Sequence, residues 1–214
     1  MQIHQIGGLG FDSNIYLIID DVIALIDAGT GMNFEMVVQN MSKFNLKPSD
    51  IELLVNTHCH YDHAGGDKDF VKTAGCRVFI HELEADLLRE GDQITTLAES
   101  FFTERFEPVD VARELRNGDR IKLGELTLRV IHVPGHTQGS ACFYEPNCRV
   151  LFSGDTVFCD GVGRTDLPTG DVEALIDSLR KLAELDVDRL YPGHGPFVEK
   201  NARKYISGAI KSAG

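Results

Sequence analysis

No stretch of this chain reaches the roughly 18 consecutive apolar residues that a membrane-spanning helix needs. The opening residues, Met1 to Gly10, have neither a basic cluster nor an apolar run, which argues against a secretory signal. A cytoplasmic protein with no membrane partner is the resulting expectation. Clusters of Lys and Arg are missing too: 33 acidic residues face 21 basic ones, for a formal net charge of −12. Proteins that bind nucleic acid draw affinity from counterion release by clustered cations, so a nucleic-acid partner is not expected. Cys-x-x-Cys pairs are absent. The five cysteines, Cys59, Cys76, Cys142, Cys148 and Cys159, are odd in number and scattered. That argues against a disulfide framework and fits a reducing compartment. Internal repeats, low-complexity segments and hinge-like linkers are lacking as well. With 214 residues and 43% hydrophobic composition, the chain can bury one sizeable core, and residues 1–214 are read as a single domain.

What is present is an alternation of strands and helices. Residues 14–19 and 22–27 read as a hairpin turning at Asp20-Asp21. Phe34, Val37, Val38, Met41 and Phe44 recur with a helical period. Leu53-Leu54-Val55 reads as a buried strand, 62–73 as a helix, 77–80 as a strand, and Leu83, Leu87 and Leu88 mark a further helix. The stretch 91–107 is rich in charge and Phe and is expected to be a mobile surface element. In the second half, 120–123 with 126–133 and 140–144 with 149–152 read as paired strands. Val172, Leu175, Ile176, Leu179 and Leu182 define an amphipathic helix with Asp171 as its N-cap. A short strand enters Tyr191, and 201–210 reads as a closing helix. Two β-rich halves, each with helices, imply an α/β fold of two mixed sheets packed face to face with helices outside, a four-layer αββα sandwich.

The densest chemistry lies in Thr57-His58-Cys59-His60-Tyr61-Asp62-His63. Imidazole and carboxylate are ligand types that zinc, iron and manganese share. On an extended segment the spacing of His58 and His60 puts both rings on one side, Asp62 repeats the step, and His63 points elsewhere. Ligands in two directions suit two adjacent metals. Alternation turns Cys59 away from them, as a buried thiol. Three further turns each follow an apolar strand: Pro134-Gly135-His136-Thr137, Ser153-Gly154-Asp155-Thr156 and Pro192-Gly193-His194-Gly195. Glycine permits a sharp turn at each strand end, and each turn presents one imidazole or carboxylate at the rim, where open α/β sheets place their sites.

These four motifs, with Ile26-Asp27-Ala28-Gly29 before them, resemble the metallo-β-lactamase fold superfamily in order and span nearly the whole chain. The resemblance implies that His58, His60 and His136 bind one metal, that Asp62, His63 and His194 bind a second, and that Asp155 bridges both. Two divalent ions are implied, zinc first, with iron or manganese as alternatives. Asp27 falls where the superfamily has an aspartate that orients a ligand imidazole. His4, His81 and His132 lie outside the pattern. Zinc β-lactamases of the commonest class carry a cysteine ligand and no bridging aspartate, so Asp155 argues against antibiotic hydrolysis. The di-iron flavoproteins of the fold replace the second histidine by glutamate, which His60 excludes.

Residues 161–170 resemble the loop that follows the bridging aspartate in glyoxalase II and in the persulfide dioxygenases. Arg164 matches a basic substrate-binding position, and Asp166 stands where glyoxalase II has a tyrosine. The helical segment that completes glutathione binding there has no counterpart after His194, so the similarity is to the short glyoxalase II-like group. It implies a metal-dependent hydrolase of thioesters or related small esters, acting through a metal-bound hydroxide oriented by Asp62. Arg164 and Tyr191 are the candidates for steering substrate. The alternatives are a persulfide dioxygenase-like oxidoreductase with one iron on His58, His136 and Asp155, and an inactive metal-binding domain. A small-molecule thioester is the expected partner, and a homo-oligomer is compatible with the sequence.

Overall fold

In a computed structural model, which describes residues 2–213, the chain forms two compact units, each holding one mixed β-sheet and its helices. The first unit comprises the residues up to Leu115 together with 122–126. Its strands are β1 (Gln2–Gln5), β2 (Tyr16–Ile19), β3 (Ile23–Ile26), β4 (Leu53–Val55), β5 (Arg77–His81) and β6 (Val111–Leu115), in that spatial order. β1, β2 and β3 pair antiparallel, and β3 to β6 run parallel. Its helices are α1 (Phe34–Ser42), α2 (Tyr61–Ala64), α3 (Asp67–Ala74), α4 (Glu82–Glu90) and α5 (Ala98–Phe102). Parallel strands are covered on both faces and read as unbroken apolar runs; all of Leu53-Leu54-Val55 is buried. The core gathers Leu17, Leu25, Leu54, Val78 and Ile80 from the sheet with Val37, Met41 and Phe70 from the helices.

The second sheet contains β7 (Arg120–Lys122), β8 (Thr127–His132), β9 (Ala141–Glu145), β10 (Val150–Gly154) and β11 (Arg189–Pro192), ordered β11-β10-β9-β8-β7. β8, β9 and β10 pair antiparallel, while β10 and β11 run parallel. The C-terminal ends of β8, β10 and β11 therefore lie on the same sheet edge. The helices of this unit are α6 (Val172–Ala183) and α7 (Arg203–Ala213). Asp171 caps α6 as expected, its Oδ1 accepting from the Ala174 N–H at 3.0 Å. Leu175, Leu179 and Leu182 pack with Ile131, Leu151, Leu190 and Ile206.

The structure departs from the sequence reading in three places. The single helix expected over 62–73 is two, α2 and α3, interrupted at Gly65-Gly66. A Cβ on Gly66 would meet the Ala28 carbonyl oxygen at 2.3 Å, and the Gly66 N–H donates to Gly29 O at 2.9 Å. The backbone bends there because it presses on the 28–31 turn. The stretch 91–107, read as a mobile surface element, carries α5 and buries Leu97, Ala98 and Phe106. It is tied down by the Tyr61 N–H donating to Thr96 O at 2.7 Å. Strands β1 and β6 were not anticipated. As edge strands of polar composition they show little apolar pattern: in β6 only Val111 and Leu115 are buried.

Candidate metal centre

In the first unit the donor residues sit at the C-terminal ends of the parallel strands β3 and β4. Asp27 follows β3 in a left-handed backbone conformation, φ 60°, which Asp tolerates better than most residues. Its Oδ1 accepts the Thr57 N–H at 2.7 Å, and its Oδ2 accepts the Thr57 hydroxyl at 2.9 Å and the His63 Nδ1–H at 2.8 Å. The hydroxyl proton of Thr57 is thereby committed to Asp27. Thr57 Oγ1 consequently accepts from His58 Nδ1, 3.1 Å away. These bonds fix both imidazoles as Nδ1–H tautomers and leave Nε2 as the nitrogen able to bind a cation. His58 Nε2 lies 3.1 Å from His60 Nδ1, and His63 Nε2 lies 3.8 Å from Asp62 Oδ2. His58, His60 and His63 are buried.

The segment does not alternate throughout. His60 is extended and caps α2, so Asp62 and His63 project from a helical turn rather than from a continuing strand. Cys59 is buried as expected, and its N–H donates to Glu84 Oε2 at 2.8 Å. Burial, reinforced by the Glu84 charge, pushes the Cys59 thiol well above its usual range.

In the second unit the three donors come from the three strand ends on one edge. His136 follows β8, Asp155 follows β10 and His194 follows β11. Asp155 Oδ2 lies 3.6 Å from the Nε2 of both His136 and His194. His136 Nδ1 donates to the Arg164 carbonyl oxygen at 2.7 Å, which again leaves Nε2 as the binding nitrogen. The turns are held by main chain: the Gly193 N–H donates to Gly154 O at 2.8 Å. Gly163 packs so closely that a Cβ there would meet Asp155 O at 2.0 Å.

Each set fits a cation on its own evidence. Ligands about 2.0–2.1 Å from a tetrahedral ion stand about 3.3 Å from one another. The donor pairs described above are 3.1–3.8 Å apart. At His58, His63 and His136 the opposite ring nitrogen is tied to hydroxyl, carboxylate or carbonyl, the arrangement that metal-binding histidines show.

The remaining predicted residues fall elsewhere. Arg164 forms a two-pronged pair with Asp166, at 2.7 and 2.6 Å, on an exposed loop. Tyr191 is buried between the rings of Phe152 and Phe197, its hydroxyl 3.4 Å from Glu199. His81 caps α4, and His132 Nε2 contacts Gln138 O at 2.8 Å. Thr57, Glu84 and Gly163 were missed from sequence. Thr57 adjoins the motif and could have been suspected. Glu84 had no signal, because a glutamate in the first turn of a helix ordinarily reads as solvated.

The sequence pattern of the metallo-beta-lactamase superfamily matches residues 8–194. The chain belongs to the metallo-β-lactamase superfamily. A probable metallo-hydrolase of Methanocaldococcus jannaschii is 37% identical over 205 residues, covering 94% of this chain and 96% of its own. Hydroxyacylglutathione hydrolase GloC of Haemophilus influenzae is 31% identical, over 97% of this chain and 99% of its own. The acyl-coenzyme A thioesterase MBLAC2 of Gallus gallus is 34% identical over 76% of this chain, which spans 63% of that protein's length. Among solved structures, TTHA1623 in a di-iron-bound form is 30% identical, with a TM-score of 0.76 and coverage of 99% and 97% of the two chains. The expected fold class stands, and the chain carries His/Asp sets able to hold metal.

Proposed function

We propose that this protein, acting as one functional domain over 1–214, hydrolyses thioesters of small thiols with a binuclear metal centre. In this reading His58, His60 and His136 would hold one ion, Asp62, His63 and His194 would hold the other, and Asp155 would serve both. The observation that carries it is the position of Asp155: one carboxylate oxygen lies 3.6 Å from the imidazole nitrogens of both His136 and His194. Two thioesterase-type relatives, GloC and MBLAC2, support the substrate class.

When bound, the two divalent ions supply a water acidified from about 15.7 towards 7 and a polarised carbonyl. The chain's own residues supply the rest. Asp27 and Thr57 hold His58 and His63 in one tautomer, and the Arg164 carbonyl does the same for His136. With the ions bound, Asp62 would accept a hydrogen bond from the water and orient it toward the acyl carbon. A thiolate departs without protonation, so no side chain need serve as general acid. Arg164 acts on substrate only if it exchanges its Asp166 partner.

The test pairs elemental analysis of the purified protein with hydrolysis assays on S-acyl thiols. Two metals per chain and turnover abolished by chelation are expected. One iron per chain with oxygen uptake on a persulfide would replace this reading with the dioxygenase one. Full turnover in a metal-free preparation would sink both.

A further inference from the structure

Asn56 and Asp67 bracket the segment that carries His58, His60, Asp62 and His63. Asn56 follows β4, and its N–H donates to Phe79 O on β5 at 2.9 Å. Asp67 is the first residue of α3. Both residues are fully buried. Their side chains meet, Asn56 Nδ2 donating to Asp67 Oδ2 at 2.5 Å. The two ends of the ligand-bearing segment are thereby clasped by one side-chain contact.

Hydrogen-bond accounting decides the charge state of this clasp. An ionised carboxylate only accepts, so it can share no second bond with the amide oxygen. Asn56 Oδ1 and Asp67 Oδ1 are then both buried without a partner, against the rule that buried polar groups are hydrogen-bonded. Among the described residues, no Lys, Arg or His forms an ion pair with Asp67. A buried charge without a counterion is costly. The ionisable groups that act on it bring no relief. Asp27 is of like charge, and the Cys76 thiol is pushed up to about 12, first by burial and then by the charge of Asp67. A protonated carboxyl has the missing donor. Its O–H can donate to Asn56 Oδ1 while Asn56 Nδ2 donates back, and both remaining oxygens are used.

We propose that Asp67 is a positioning residue that works as a neutral acid, forming with Asn56 a reciprocal acid–amide clasp that holds the metal-ligand segment in place. Such a clasp fixes the segment without adding a second negative charge behind Asp27, the carboxylate that orients His63. It rests on the metal ligands assigned above and not on the thioester reading.

Infrared difference spectroscopy tests the charge state, and zinc affinity tests the positioning; neither reads turnover. At pH 7, far above the ordinary Asp pKa of about 3.9, the zinc-loaded protein is expected to show a protonated-carboxyl C=O band that Asp67→Asn removes. Competition against a chromophoric chelator should show zinc affinity lowered about tenfold in Asp67→Ala and in Asn56→Asp, the lower end of what losing a partner that orients a ligand costs. Asp67→Asn should match the wild type, because its amide keeps a donor and an acceptor on the same edge. The exchanged pair, Asn56→Asp combined with Asp67→Asn, should recover the affinity lost in Asn56→Asp alone, since acid and amide have only traded sides. A spectrum in which Asp67→Asn removes no protonated band would overturn the neutral acid. An exchanged pair as weak as Asn56→Asp would overturn the reciprocal bonding. Unchanged zinc affinity in both Asp67→Ala and Asn56→Asp would overturn the positioning role. Wild-type protein that shows the band but binds no zinc would overturn the metal assignment and not the acid–amide pair.

Discussion

In the first unit four donor residues come from one stretch, 58–63, and are braced from behind by the side chains of Asp27, Thr57 and Glu84. In the second, three donors come from three separate strand ends and are braced mainly by main chain: the Arg164 carbonyl, the Gly154–Gly193 hydrogen bond and the close approach of Gly163. The first set is also the more deeply buried, whereas His194 keeps 38% of its side chain exposed. Packing four donors into six consecutive residues leaves the local backbone little freedom to orient each ring, so distant side chains do it. Strand ends on one sheet edge are already aligned by pairing, so main-chain contacts suffice.

The largest effects should be the same in both units. His58→Ala and Asp155→Ala are each expected to lower hydrolysis by more than about 1,000-fold and to reduce metal content, since ligand loss removes the acidified water itself. Retained activity in either variant would show that one set works alone. The braces should then separate the units. Asp27→Asn is expected to weaken metal affinity about 10- to 100-fold, the usual effect of losing the partner that orients a ligand imidazole. Arg164→Ala should leave metal affinity unchanged, because its carbonyl, not its guanidinium, holds His136. Gly163→Ala should weaken it, because the new methyl displaces the loop from Asp155. Competition against a chromophoric chelator reads all three; a loss in Arg164→Ala equal to that in Asp27→Asn would erase the contrast.

Acid–base behaviour should also differ in sign. Burial, aided by the charge of Asp27, holds the Asp67 carboxyl in the first unit well above the usual range, against the opposing effect of its hydrogen bond from Asn56 Nδ2 at 2.5 Å. The folded state therefore keeps a proton that the unfolded chain releases near pH 3.9. Its contribution is fully present below that pH and declines as pH rises towards the folded value. In the second unit Arg164 lowers the Asp166 carboxyl to about 2. That contribution is present above about pH 3.9, is lost as pH falls through about 2, and is screened at so exposed a position. Melting temperature against pH should flatten above about pH 4 in Asp67→Asn and barely change in Asp166→Asn; the reverse would invert the assignment. The smallest effect expected is that of Asp171→Ala. Removing the α6 cap should cost about 1 kcal/mol, a shift of about 2–4 °C for a chain of this size, with metal content unchanged.

Much of this was legible in the sequence because it is local. Leu53-Leu54-Val55 announces a buried strand, the period of Val172 to Leu182 announces α6, and each Pro-Gly-His or Ser-Gly-Asp turn announces a presented ligand. What was misread depended on distant partners. The helix over 62–73 breaks because Gly66 meets Ala28, and the 91–107 stretch folds because its apolar residues find the first core. Polar edge strands such as Gln2–Gln5 exist because a neighbour offers hydrogen bonds, which their own pattern does not record.

By itself the sequence determined the donor types, their order and the fold class, since residue chemistry and short-range periodicity need no partner to be read. Only the tertiary structure decided which nitrogen of each imidazole can bind metal. That choice rests on hydrogen bonds from His63 to Asp27, 36 positions away, and from His136 to Arg164, 28 positions away. It also brought Asn56 and Asp67 face to face. A tautomer and a clasp of acid and amide are properties of juxtaposition, and juxtaposition is set by packing between segments that no local pattern connects.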